Sequence, residues 1–142
     1  MTTIDSTAPA SKGSVRGVLL STLIAGVVAS VANAIVAWAG LAAGADPAVM
    51  GLTPGAYVTF SVLGVLVGAI GWALIRRAPK ARTILTVLVP VVLLLSLIPD
   101  VALAVTGGTA AATTAAVTLG IMHVVTAAIA VPVYRVFLPL ED

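Results

Sequence analysis

From Gly17 to Ala45 the chain carries no charged residue. A helix needs about 20 mostly apolar residues to cross the hydrocarbon of a bilayer. This stretch is long enough, and the remaining charges divide the rest of the chain into three more of the kind. The first expected span runs from about 17 to 43, between Arg16 and Asp46. The second covers about 55–75 and stops at Arg76 and Arg77. The third covers about 83–98, after Arg82 and before Pro99 and Asp100. The fourth covers about 109–134 and stops at Arg135. Of 142 residues, 61% are hydrophobic and 8% charged, whereas a soluble domain carries about a quarter charged residues. Such a chain could not cover itself in water, so lipid must cover it. The expected fold is all-α: a polytopic membrane protein with one four-span domain over 15–138. Residues 1–14 would be a disordered cytoplasmic tail, and 139–142 a short tail.

The seven Lys and Arg residues set an orientation. Lys12 and Arg16 precede the first span, Arg76, Arg77, Lys80 and Arg82 fill the loop between the second and third, and Arg135 follows the fourth. All lie on one side of the alternating spans, while Asp46 and Asp100 lie on the other. Because basic loops stay in the cytoplasm, both termini are expected there. Richness in Ala, Val and Gly hints at a bacterial genome, and hence at a bacterial inner membrane. Trp38 and Tyr57 fall towards the outer ends of their spans and Trp72 and Tyr134 towards the inner ends, where amphipathic rings favour the interface. "VANA" at 31–34 imitates a signal-peptide cleavage site. The apolar run continues through Ala43, beyond a usual signal core, so an uncleaved first span is expected.

Helices in lipid associate through small residues and polar contacts. Alternating steps of three and four pick out Gly26, Ser30, Asn33, Ala37, Gly40 and Gly44 in span one. In span two they pick out Tyr57, Ser61, Gly64, Gly68 and Gly71, and in span four Thr113, Ala116, Gly120, His123, Ala127, Ala130 and Tyr134. Gly26, Gly40, Gly64, Gly68 and Gly120 are the expected packing glycines. With short loops, these stripes predict a left-handed, up-down-up-down four-helix bundle.

His123, the only histidine, and Asn33, the only asparagine, both fall on such stripes. At about 1.5 Å per residue, His123 lies roughly 18 Å from the basic end, Ser96 about 21 Å, and Asn33 about 22 Å. The three could meet in one polar layer, with Asp100 about a turn above Ser96 as an outer-face acid. Ionisable groups inside spans point to proton, ion or ligand sites. Equally, Asn33, Ser96 and His123 would serve to hydrogen-bond across helices and fix their register. Asp100, after Pro99, would suit the first turn of a short helix. Pro90 should kink the third span. The basic cluster Arg76, Arg77, Lys80 and Arg82 reads as a topology signal or as a headgroup contact.

The absence of cysteine excludes disulfides, thiol redox catalysis and iron–sulfur clusters. One histidine cannot supply bis-histidine haem ligation, and no phosphate loop, metal cluster or nucleophile–histidine–acid set is present. The net charge of +2 does not point to nucleic acid. No cofactor, metal or catalytic residue is expected.

Asn33 in span one, "LGVLVGAIGWALIRR" (63–77), "SLIPD" (96–100) and "MHVVTAAIAVPVYR" (122–135) together resemble actinobacterial four-helix membrane proteins grouped as "domain of unknown function 6069". The resemblance covers nearly the whole chain after residue 14. It implies a four-span inner-membrane protein and no assigned activity. The expected role is a non-enzymatic structural module or accessory subunit, with the bilayer and a larger complex or a second copy as partners. The alternative is a small carrier or channel, for protons or a small solute, built as an oligomer around Asn33, Ser96 and His123.

Overall fold

A computed structural model describes residues 11–141, with side chains from Val15 to Glu141. Its helices are α1 (Ser11–Ala42), α2 (Pro54–Ile75), α3 (Ala81–Ser96), α4 (Ile98–Thr106) and α5 (Ala110–Phe137), with a 3₁₀ turn at Met50–Leu52. Four segments are long and apolar enough to span a membrane: Val15–Ala42, Pro54–Ile75, Ala81–Thr106 and Ala110–Phe137.

Two expected boundaries need correction. Helix α1 already includes residues 11–14, which the sequence places in the tail. Nothing there breaks a helix except Gly13, which costs only about 1 kcal/mol relative to Ala. The rest of that expected tail, residues 1–10, lies outside the described residues. The third span does not end at Ile98. It continues as α4 to Thr106, because Pro99 occupies the first turn of a new helix, where its missing N–H costs nothing. The chain runs through Pro90 as helix, and the interruption falls at Leu97 instead.

Turn chemistry closes the loops. Helix α1 ends in a Schellman motif: the Gly44 N–H donates to Leu41 O (3.1 Å) and the Ala45 N–H to Gly40 O (2.9 Å). Gly44 takes φ +92°, a conformation that excludes most side chains. Ala45, next in line, is buried. Thr109 caps α5 by accepting from the Ala112 N–H at 3.1 Å.

Helices α1, α2 and α5 form the body of the molecule, and the third span lies at its side. Two apolar clusters fill that body. At the basic end are Ala25, Val65, Ala69, Trp72, Leu85, Ala130, Tyr134 and Leu138. At the other end are Ala37, Ala45, Leu52, Ala115 and Met122. Of the third span, only Ala81, Leu85 and Asp100 are buried.

The glycine stripes divide. Gly26 lies against Val62, and a Cβ at Gly40 would overlap Thr118. Gly68 faces the Tyr134 hydroxyl and Gly120 faces Leu97, while Gly64 and Gly71 face open space. Helix α2 buries Ser61, Val65, Ala69, Trp72 and Ala73 instead. Small residues are common enough here to draw a stripe on more than one face, and the large side chains decide which face turns inward. Gly17 and Gly51, which no stripe contained, meet Leu138 and Leu119 closely.

Trp72 and Tyr134 are core residues rather than interface markers. They are 5% and 4% exposed, with ring centroids 5.7 Å apart. The Trp72 indole N–H donates to Leu138 O at 2.9 Å, and the Tyr134 hydroxyl to Val65 O at 2.5 Å. The segment after α5 is tied down in turn. Arg76 Nη2 lies 2.8 Å from Glu141 Oε1, Arg76 Nη1 donates to Pro139 O at 3.1 Å, and the Glu141 N–H donates to Arg76 O at 3.1 Å. The expected basic cluster therefore splits. Arg76 is drawn inward and Arg77 lies 3.8 Å from the same carboxylate, while Lys80 and Arg82 stay exposed.

Candidate functional site

Asn33 sits in the C-terminal half of α1, between the two apolar clusters, and is 2% exposed. Its Nδ2 donates to Ser61 Oγ on α2 at 2.8 Å and to Thr126 Oγ1 on α5 at 2.9 Å. One amide thus staples three spans at one level. Its Oδ1 is buried without a hydrogen bond. An unpaired amide in hydrocarbon costs several kcal/mol, so the two hydroxyls fix which faces of α2 and α5 can turn inward.

The expected layer of Asn33, Ser96 and His123 does not form. Ser96 Oγ donates to Leu93 O of its own helix at 2.7 Å, the usual way for a helical serine to satisfy itself. Thr126, which the stripe left out, replaces His123 beside Asn33. Met122 and Thr126, four residues apart, lie on the inner face of α5 with Ala115 and Ala130.

His123 looks instead towards the third span. Its Nδ1 lies 3.2 Å from Asp100 Oδ2 in α4 and 2.9 Å from Leu119 O. A single Nδ1 proton cannot point at both. The carboxylate contact lies within ion-pair range but is not an aligned hydrogen bond, and Oδ2 is buried without one. The imidazole side chain is 38% exposed and that of Asp100 10%. The break at Leu97 and Pro99 brings the acid there, because α4 restarts with Asp100 in its first turn. A proton passing between the two groups interconverts a charged pair and a neutral pair without changing their net charge. Among the described residues, no group of three His, Cys, Asp or Glu side chains gathers as a metal site.

Four apolar spans, three of them joined at one depth by a single asparagine, define a small four-span membrane protein. The model of the family of unknown function DUF6069 matches residues 13–139, and the chain belongs to that family. No curated protein and no solved structure matches it.

Proposed function

We propose that the chain is a non-enzymatic membrane module, a structural element or accessory subunit of a larger membrane complex. One observation carries this reading: Asn33, a polar side chain only 2% exposed, directs both amide hydrogens to neighbouring helices. Its chemistry goes into helix register. The test is the purified protein, alone and in proteoliposomes. Asn33→Ala should lower resistance to unfolding by about 1–2 kcal/mol, since interhelical hydrogen bonds in membranes contribute roughly 0.6 kcal/mol each and at most about 1.7. Wild-type vesicles should show no proton or small-solute flux above protein-free vesicles. Flux that requires Asn33 would sink the proposal.

A second reading has its own observation. Asp100 and His123 are two ionisable groups within 3.2 Å inside membrane-spanning segments, and such groups mark proton and ion pathways. It is a small proton or cation carrier that uses this pair, assembled as an oligomer. In the same vesicles it requires a flux that falls in both His123→Ala and Asp100→Asn.

A further inference from the structure

Helix α4 buries one residue, and it is an acid, Asp100. A helix dipole favours a carboxylate in the first turn, but here Oδ2 is buried and accepts no hydrogen bond. A carboxylate inside a span is costly unless its charge is compensated. His123 lies beside it, with Nδ1 at 3.2 Å. The other titratable groups on the surrounding elements, among the described residues, offer no such compensation. Arg135 stands about 18 Å along α5 from His123, and Arg82 about 27 Å along the third span from Asp100. Arg16, Arg76, Arg77 and Lys80 lie at that same basic end. Tyr57, in the outer apolar cluster, brings no positive charge, and Tyr134 donates to Val65 O. Asp46 turns its Oδ1 to the Ala48 N–H.

We infer that Asp100 and His123 form a binding site for a single proton, and that this proton keeps α4 docked on α5. This rests on the second reading above and names the ligand of that site as a proton rather than a metal cation. No third His, Cys, Asp or Glu joins the pair among the described residues, and a proton needs no coordination shell beyond the two groups. With one proton the pair is neutral as a whole, whichever group holds it. Loss of that proton to water leaves an anion pressed against α5. A second proton leaves a cation on the ring, which is 38% exposed against 10% for the acid, so charge there costs less. The fold lets α4 respond. Pro99 has no N–H to give Leu95 and the helix breaks at Leu97, so α4 can turn without carrying α3. Its apolar hold is slight, since Leu103 meets the outer cluster only partly buried. Rising pH empties the site and α4 swings out towards water; falling pH refills it.

Because the chain has no cysteine, nitroxide labels can be placed at Val105→Cys and Val136→Cys, positions 76% and 72% exposed. The full-length protein in lipid nanodiscs is titrated from about pH 5 to about pH 9, and the distance between the labels is read by pulsed electron resonance. One narrow distance is expected at the acid end, with a second population growing in as pH rises, at the slope of a single proton. Asp100→Asn, which cannot ionise, should hold the narrow distance throughout. His123→Gln should move the midpoint by about one pH unit or more, and decides the matter if Asp100→Asn fails to fold. Sodium in place of choline should leave the midpoint where it is. A distance that ignores pH, a transition that survives Asp100→Asn or a midpoint untouched by His123→Gln overturns the inference. So does sodium restoring the docked distance at high pH, which would mark a metal-cation site. Transport is a separate readout. The pH-dependent distance without proton flux in proteoliposomes would remove the carrier reading and leave this site standing. Flux through a protein whose distance ignores pH would do the reverse.

Discussion

Asn33 has two amide hydrogens and finds two hydroxyls for them, Ser61 and Thr126. That it faces inward was legible from its place on a small-residue stripe. Its partners were not, because spacing along one helix does not say which neighbours lie opposite. Ser96 departs from the expected layer for a related reason: its hydroxyl finds an acceptor one turn back on its own helix and needs no layer. His123 faces other helices as expected, but the face belongs to the third span. The glycines allow a sharper comparison. Gly40→Ala pushes a methyl group into Thr118 and should cost about 1–3 kcal/mol, as overpacking does. Gly64→Ala meets nothing and should stay within about 0.5 kcal/mol of wild type. Unfolding titrations of the two variants, followed by circular dichroism, measure the difference. Equal costs would place Gly64 in an interface.

The third span is the loosest element, and its division into α3 and α4 explains much about the molecule. Pro99 can be read from the sequence, but whether a proline ends a span or begins its next helix depends on what the following turn packs against. Here Asp100 packs against His123 at 3.2 Å, and the span continues. Helix α3 buries only Ala81 and Leu85, whereas α1 has Ala25 and Ala29 wholly buried and Asn33 and Ala37 nearly so. Local opening follows such differences in burial. Hydrogen exchange in detergent, read by mass spectrometry, should show amides between Val87 and Leu95 exchanging before those between Ala25 and Ala37. The reverse order would mean that α3 is held by contacts stronger than its burial accounts for.

At the scale of the whole molecule, charge segregation and apolar length were enough to find four spans, while two span ends and the arrangement of the spans had to come from packing. The orientation remains a prediction with a clean test, because the chain has no cysteine. In intact cells, Ala48→Cys, in the loop carrying Asp46, should react with a membrane-impermeant maleimide. Ala78→Cys, among the arginines, should react only after lysis, as expected if basic loops stay inside. The opposite pattern would invert the topology.

The packing also bears on the order of assembly. The staple joins α1 to a threonine far along the chain, and Gly17 of α1 meets Leu138, just beyond α5. The body therefore closes between α1 and α5, two helices far apart along the chain. During synthesis α1 enters the membrane long before Thr126 exists, and its asparagine must wait with at most one of its two partners. Contacts between such distant residues make a fold slow to complete. A nascent chain halted before α5 would hold three spans in the bilayer without their shared core, a form that quality-control proteases should distinguish from the finished bundle.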